Sequence, residues 1–217
     1  MDAIVLNTLI FDLDETIYPR DSGLMQAISQ RINLYMIDKL GMDPENVSRL
    51  RREYWHKYGT TSRGLQLLHD IDVDDYMDFV HDAPLRNYIA PNPELDAVLA
   101  ALPQRKVIFT NATAAHARAV LDVVGVRHHF EAMYDAFFAE NESKPAPGSY
   151  HRLLNALGVG GEVCLMVEDT ARNLRPAKAL GMTTVLVAPP VGADTEGADY
   201  VIDRIVDIGR VVREVEF

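Results

Sequence analysis

The second half of the chain alternates short apolar runs with longer amphipathic stretches, and this pattern restricts the fold more than any other feature. Runs rich in Val, Ile, Leu and Phe predict strands at residues 4–11, 106–110, 133–138, 163–167 and 183–187. Helical periodicity lies between them at residues 114–124, 148–157 and 171–180, and each stretch is followed by a stop signal: Gly125, Gly158 and Gly181. Strands that alternate with helices are typical of βαβ units, so we expect an α/β fold with a doubly wound parallel sheet.

A segment in the first half of the chain breaks this alternation. Residues 22–90 carry apolar side chains at helical spacing and no convincing strand pattern. We interpret their Met, Tyr and Trp side chains as the core of a helix bundle. We therefore predict that residues 1–17 and 91–217 form a Rossmann-like core and that residues 18–90 form an inserted α-helical cap.

Composition and charge exclude several kinds of partner. The formal net charge is −11 and Lys and Arg form no cluster, so a nucleic-acid polymer or an anionic membrane would be repelled. A small phosphorylated metabolite remains compatible, because a metal ion or one lysine sets the local field. The first apolar run is interrupted by Asn7 and ends at Asp12, unlike a signal peptide or a membrane span, so we expect a cytoplasmic protein. The single cysteine, Cys164, allows no intrachain disulfide and is interpreted as a buried strand residue.

Two acids, Asp12 and Asp14, stand where the first predicted strand ends, in the segment LIFDLDETIYP. The carboxyl ends of strands are where open α/β sheets build their sites. Carboxylates this close repel each other, and a hard divalent cation between them relieves that repulsion. The alternative is a pair of solvent-facing loop acids, so the pair indicates a metal-assisted site without establishing it alone.

Polar groups follow two later apolar runs. Thr110 and Asn111 come directly after VIF, where a hydroxyl and backbone N–H groups can hold phosphate oxygens. Helix capping by Asn111 or Thr113 is the alternative, and both roles are compatible. Lys144, in ESKPAPGSY, is suited to neutralising a phosphate or a nucleophile, and an exposed surface lysine is the alternative.

Adjacent acids close the series of candidate site residues. Glu168 and Asp169 follow VCLMV, the most hydrophobic of the predicted strands. Acids at the end of a buried strand need compensation, and Mg²⁺ with oxygen ligands supplies it. Solvent exposure is the alternative. Together with Asp12, Asp14, Thr110, Asn111 and Lys144, these two acids indicate one phosphoryl-transfer site with Mg²⁺ as its cofactor.

The segments FDLDET, FTNAT, the SKPAP lysine and VEDTARN resemble the four sequence motifs of the haloacid dehalogenase superfamily, in the family's order and over residues 4–190. The helical insertion after the first motif resembles the C1-type cap of that superfamily. The stretches YGTTSRGL and HDAPLRNYIAPNPEL, at residues 58–65 and 81–95, resemble the branch that contains pyrimidine 5′-nucleotidases. The resemblance implies a phosphate monoester hydrolase.

The resemblance also implies a role for each matched residue. Asp12 would attack phosphorus to form an aspartyl-phosphate, and Asp14 would protonate the leaving alcohol and then activate the hydrolytic water. Mg²⁺ would be held by the Asp12 side chain, the Asp14 backbone carbonyl and Asp169. Glu168 stands where an aspartate is often found, which leaves open whether it binds the metal directly or through water. The transferring phosphoryl oxygens would be bound by Thr110, Asn111 and Lys144.

The favoured substrate is a nucleoside 5′-monophosphate, with pyrimidine nucleotides first, and Thr61 and Arg63 are candidate contacts to the leaving group. A capped helix with solvated polar groups is the alternative for these two residues. The alternative hypotheses are a phosphatase or phosphomutase that acts on another phosphometabolite such as a sugar phosphate. A dehalogenase is disfavoured by Asp14, since halide displacement needs no acid. A phospho-accepting signalling domain is disfavoured because it accepts phosphate later in the chain and lacks the insertion.

Overall fold

A computed structural model describes residues 5–138 and 142–216, which divide into two compact units. The sheet unit comprises Met1–Asp21 and Ile89–Phe217, and the helical unit comprises Ser22–Tyr88. Residues 18–21 and 89–90, which the sequence analysis assigned to the insertion, group with the sheet unit. No helix in the described residues is long and apolar enough to cross a membrane.

The helical unit, all of whose residues are described, contains helices and no strand. Its α-helices are α1 (Leu24–Leu34), α2 (Pro44–Tyr58), α3 (Thr61–His69) and α4 (Val73–His81), with a π-helical turn at Tyr35–Lys39. Three of them begin with a side-chain cap: Asp43 accepts from the N–H of Glu45 in α2, Thr60 caps α3, and Asp72 accepts from the first turn of α4. The rings of Tyr35 and Tyr76 pack edge to face, 5.0 Å apart, in the core of this unit.

Among the described residues, the sheet unit is built on six parallel strands in the order β3-β2-β1-β4-β5-β6. They are β1 (Thr8–Phe11), β2 (Arg105–Phe109), β3 (Ala132–Tyr134), β4 (Cys164–Glu168), β5 (Thr183–Val187) and β6 (Tyr200–Ile202). The order of the strands reverses between β1 and β4, and open α/β sheets bind ligands at the carboxyl ends of strands at such a point. The predicted doubly wound parallel sheet is confirmed.

Helices precede, separate and follow the strands of the sheet unit. They are α5 (Pro93–Ala101), α6 (Ala114–Val124), α7 (Pro147–Leu157), α8 (Ala171–Ala179) and α9 (Ile208–Glu216). One buried cluster joins Ile10 and Met166 of the central strands to Leu153 of α7 and Leu174 of α8. Cys164 is fully buried at the start of β4, as predicted.

The predicted and observed elements differ where a polar side chain ends a strand early or where an element is too short to show a clear apolar pattern. The first strand begins at Thr8, and Ile4 lies outside the described residues. The strand predicted at 133–138 ends at Tyr134, because the Asp135 carboxylate accepts the N–H groups of Phe137 and Phe138 and forms a turn. The sequence analysis did not predict β6, α4, α5 or α9.

Candidate active site

Two acids and one lysine meet at the carboxyl ends of β1 and β4. Asp12 follows β1, and Glu168 is the last residue of β4. Lys144 Nζ donates to Asp12 Oδ1 at 2.6 Å, to Glu168 Oε2 at 2.8 Å and to the Phe109 carbonyl oxygen at 2.8 Å. The three charged residues are buried, and Lys144 is only 1% exposed. Lys144 is therefore a buried counter-ion of both carboxylates and not a surface lysine.

Asn111 fixes the main chain of this lysine. Its Nδ2 donates to the Lys144 carbonyl oxygen at 3.0 Å, and its Oδ1 accepts from the Lys144 N–H at 2.9 Å. Beside it, the Thr110 hydroxyl oxygen accepts from the N–H of Ala112 at 3.0 Å. The Asn111 side chain thus positions Lys144. The predicted contacts of Thr110 and Asn111 with phosphate stay predictions. Because the Asn111 side chain is bonded to the main chain of Lys144, its backbone N–H is the group left for a phosphate contact.

Asp14 lies in a different environment from Asp12, although both come from the same turn. The Tyr18 hydroxyl donates to Asp14 Oδ1 at 2.6 Å, and His116 Nε2 lies 3.1 Å from the same oxygen. Burial, together with the charge of Asp14, raises the pKa of Tyr18, so the hydroxyl keeps its proton and remains a donor. Two neighbouring carboxylates with different partners are suited to two different chemical roles.

A carboxylate cluster at this site suits a divalent cation. One oxygen each from Asp12, Glu168 and Asp169 lies within 4.8 Å of the others. An all-oxygen donor set is what Mg²⁺ prefers. Both oxygens of Glu168 already have protein partners, because Oε2 accepts from Lys144 and Oε1 accepts from Asn173 Nδ2 at 3.0 Å. Both oxygens of Asp12 and both oxygens of Asp169 likewise accept from protein donors, so these contacts do not separate direct ligation from contact through water for any of the three acids.

Burial raises the pKa of all three acids in this cluster. With the charge of Glu168, burial raises the pKa of Asp12 to about 7, and with the charge of Asp12 it raises that of Asp169 to about 6. Burial raises the pKa of Glu168 to about 7 although Lys144 opposes the shift. Burial lowers the pKa of Lys144, but the charges of Asp12 and Glu168 outweigh it and raise the pKa above its ordinary value. The cluster thus holds more acid than one lysine neutralises, and a bound divalent cation would lower these carboxyl pKa values.

Thr61 and Arg63 lie at the start of α3 in the helical unit. The cap of this helix is Thr60, whose hydroxyl oxygen accepts from the N–H of Arg63 at 3.0 Å. Arg63 Nη1 donates to Gln66 Oε1 at 2.6 Å. The buried Thr61 lines a cavity of about 290 Å³ with Ser48, Arg51, Arg52 and Trp55. The substrate contacts predicted for Thr61 and Arg63 stay predictions.

The sequence analysis missed the residues that hold the two aspartates. Thr16 donates to Asp12 Oδ2 at 3.1 Å, and Tyr18 donates to Asp14. Each donor lies four residues after its acid in a turn where the N–H of Ile17 donates to the Leu13 carbonyl oxygen, so the spacing was a usable signal. His116 comes from a distant part of the sequence, and no local pattern marks it.

Arg20 was also missed. Its guanidinium bridges Glu15 and Asp169, with 2.5 Å to a carboxylate oxygen of each. Its side chain is 39% exposed, so solvent screens these contacts and we assign them little stability. The bridge links the turn after β1 to the end of β4, where the candidate metal ligands lie.

Comparison with known proteins gives relatives along most of the chain. Phosphate metabolism protein 8 of Saccharomyces cerevisiae is 27% identical over 191 residues, 81% of this chain and 60% of that protein. The chain thus spans less than two thirds of that relative's length. The plasmid-encoded protein CbbY of Cupriavidus necator is 29% identical over 225 residues, 93% of this chain and 87% of that protein.

Solved structures share the fold. CbbY from Rhodobacter sphaeroides in complex with phosphate superposes with a TM-score of 0.68 at 19% identity, covering 94% of this chain and 97% of that chain. A second structure of that CbbY, in complex with xylulose-(1,5)bisphosphate, has a TM-score of 0.66 at 18% identity, with coverage of 94% and 97%. The model of the haloacid dehalogenase-like hydrolases matches residues 6–181. The chain belongs to the haloacid dehalogenase-like hydrolase family.

Proposed function

We propose that the protein is a Mg²⁺-dependent phosphate monoester hydrolase that uses Asp12 as a covalent nucleophile. The observation that carries this proposal is the contrast between the two acids of one turn. Asp12 contacts a buried ammonium group, which favours the ionised form that a nucleophile needs. Asp14 Oδ1 instead accepts from a hydroxyl and lies beside an imidazole, and these two groups orient Asp14 for proton transfer.

The proposed reaction has two steps. An Asp12 oxygen attacks phosphorus, the bond to the leaving oxygen breaks, and Asp14 gives that oxygen its proton. Asp14 then takes a proton from a water molecule that attacks the phosphorus of the aspartyl-phosphate, which releases inorganic phosphate and regenerates Asp12. Lys144 orients Asp12 and neutralises phosphoryl oxygens, while Tyr18 and His116 hold Asp14. When bound, Mg²⁺ supplies further neutralisation of the phosphoryl charge.

Hydrolysis of p-nitrophenyl phosphate tests this proposal. We expect sustained release of p-nitrophenol and phosphate with Mg²⁺, loss of activity in EDTA, and recovery when Mg²⁺ is restored. The Asp12→Asn variant should fold normally and show no turnover, because the amide is a poor nucleophile of similar size. Full activity after exhaustive chelation contradicts the metal assignment, and an active, folded Asp12→Asn protein contradicts the covalent mechanism. Release of at most one phosphate per protein would instead favour a phospho-accepting domain.

For the substrate, we propose a nucleoside 5′-monophosphate, a pyrimidine nucleotide first, on the basis of the segments at residues 58–65 and 81–95. A sugar phosphate is the second candidate, and the specific observation for it is the sugar bisphosphate held by CbbY, whose fold this chain shares. A panel of monoesters that includes UMP, CMP and hexose phosphates separates the two by kcat/KM. Conversion of a sugar phosphate to its positional isomer without phosphate release would identify a phosphomutase.

We further propose that the helical unit acts as a cap that selects the leaving group through Thr61 and Arg63. The Thr61→Ala and Arg63→Ala variants should then lower kcat/KM for a nucleotide by about tenfold or more and change p-nitrophenyl phosphate hydrolysis little. The Arg49→Ala variant is the matched control, because Arg49 is an exposed α2 residue paired with Glu53 at 2.7 Å. Equal small effects on both substrates would show that Thr61 and Arg63 serve only to stabilise α3 and do not contact the leaving group.

A further inference from the structure

A second cluster of metal-ligand side chains shares no residue with the site around Asp12. Asp96 of α5 approaches two consecutive histidines of the 3₁₀ turn Arg127–His129. Its Oδ1 lies 2.8 Å from His129 Nε2 and 3.1 Å from His128 Nε2. One ligand atom from each of these three residues lies within 4.8 Å of the other two. Two imidazole nitrogens and a carboxylate oxygen therefore converge on one point.

We propose that Asp96, His128 and His129 bind a borderline divalent cation such as Zn²⁺, with water completing the coordination. Imidazole and carboxylate ligands suit Zn²⁺, Co²⁺ and Ni²⁺, and three protein ligands with an open position make a common zinc arrangement. Zn–N and Zn–O bonds of about 2.0–2.2 Å in a tetrahedral site place ligand atoms about 3.3–3.6 Å apart. The two observed distances of 2.8 Å and 3.1 Å would need to expand by less than about 1 Å to reach that range.

The backbone already holds the three ligands near one another. The N–H of Asn92, the cap of α5, donates to the Val124 carbonyl oxygen at 2.8 Å and joins the start of α5 to the end of α6. The N–H of His129 donates to the Val126 carbonyl oxygen at 3.1 Å and closes the 3₁₀ turn. Val126 and Phe130, on either side of that turn, are buried. Ligands on a fixed backbone lose little conformational freedom when an ion binds, which favours binding.

The geometry of the cluster favours a cation over the hydrogen bonds alone. The two imidazole rings are 4.0 Å apart, and the Nε2 atoms of both lie within 3.1 Å of one carboxylate oxygen. A bound ion would be ligated by both Nε2 atoms and by that carboxylate. The side chains of His128 and Asp96 are 66% and 44% exposed, so hydrogen bonds between them contribute little in water.

The cluster is also accessible to an ion from solvent. His128 lines a cavity of about 600 Å³ beside the cluster, together with residues of α6 and of the segment that follows it. The side chains of His128 and Asp96 are themselves largely open to solvent, so an ion bound to them can retain a water molecule on its exposed side, which a three-ligand site requires.

Calorimetric titration of Zn²⁺ into the Asp12→Asn protein, with Mg²⁺ in excess, tests this site without a contribution from the catalytic carboxylates. We expect one equivalent of Zn²⁺ to bind. The variants His128→Gln and Asp96→Asn, each added to Asp12→Asn, should weaken this binding at least tenfold, as loss of a ligand does. His151→Gln is the matched control, because His151 is an exposed histidine of α7, and it should leave the affinity unchanged.

Two results would overturn the proposal. One is the absence of Zn²⁺ binding to the Asp12→Asn protein, and the other is an unchanged affinity in the His128→Gln and Asp96→Asn variants. Circular dichroism and p-nitrophenyl phosphate hydrolysis, the latter measured with Asp12 intact, report whether His128→Gln keeps the fold and the activity. We expect both to be retained because the His128 side chain lies at the surface.

Discussion

Replacement of Lys144 by methionine removes the cation between two buried acids while keeping an unbranched side chain of similar length. The ammonium group has three acceptors within 2.8 Å, and Asp12 and Glu168 have no other cation that contacts them in the described residues. Breaking a buried ion pair costs about 3–5 kcal/mol, and in a protein of this size each kcal/mol shifts Tm by about 2–4 °C. We therefore expect Lys144→Met to lower Tm by roughly 6–20 °C near neutral pH in EDTA.

The loss of stability should depend on pH in a defined direction. Both acids have a pKa of about 7 in the folded protein, above their ordinary values, and loss of Lys144 raises both further. An acid whose pKa is raised by folding holds more protons in the folded state, so stability falls as pH rises from the unfolded pKa through the folded pKa. The difference in Tm from the wild type should therefore be larger at about pH 8 than at about pH 5.5.

Thermal unfolding followed by circular dichroism measures both effects. Lys178→Met is the control, because Lys178 pairs with Asp199 at 3.0 Å at the surface and should cost at most about 1 kcal/mol. Adding Glu168→Gln to Lys144→Met removes one unpaired acid and should recover part of the lost Tm. A Lys144→Met protein that is no less stable than Lys178→Met, or whose loss is independent of pH, would refute the assignment of Lys144 as a buried counter-ion.

Two further predictions concern the acid and the metal. Tyr18→Phe should reduce kcat/KM for an alkyl phosphate more than for p-nitrophenyl phosphate, because Tyr18 holds Asp14 and only the alkoxide needs protonation in the step that phosphorylates Asp12. Equal losses of kcat/KM in a steady-state assay would contradict this. Mg²⁺ should raise Tm more at about pH 8 than at about pH 5.5. The reason is that the pKa values of Asp12 and Asp169 are about 7 and about 6, and Mg²⁺ binding weakens about tenfold for each unit by which the pH lies below the pKa of a ligand. A scanning calorimetry measurement that gives the same gain at both pH values would contradict it.

The site residues that could be predicted from the sequence are those that follow strong apolar runs. Asp12 and Glu168 could be found because each lies at the end of a fully buried strand, and the carboxyl ends of parallel strands meet at one edge. The run Thr183–Val187 was predicted with the observed bounds because β-branched residues fill it and its neighbours do not extend it. In contrast, β6 has three residues, one of which is the exposed Val201, and such a short pattern does not distinguish a strand from a loop.

The contacts that give each site residue its environment depend on tertiary structure. Lys144 was recognised as a candidate, but its burial and its clamp by Asn111 arise only when the loop after β2 meets the segment before α7. His116 reaches Asp14 from the first turn of α6, more than a hundred residues further along the chain. Local periodicity carries no information on such pairs, so the sequence predicted which side chains lie at the candidate site better than it predicted how they are held.

Trapping the phosphorylated enzyme tests the central claim most directly. The Asp14→Asn variant should still react with p-nitrophenyl phosphate, whose leaving group needs no protonation, but should hydrolyse the intermediate slowly because no base activates water. Acid quenching, borohydride reduction of the acyl phosphate and peptide mass spectrometry should then find homoserine in place of Asp12. Hydrolysis that continues without modification at position 12, or homoserine at a different aspartate, would contradict a covalent mechanism through Asp12.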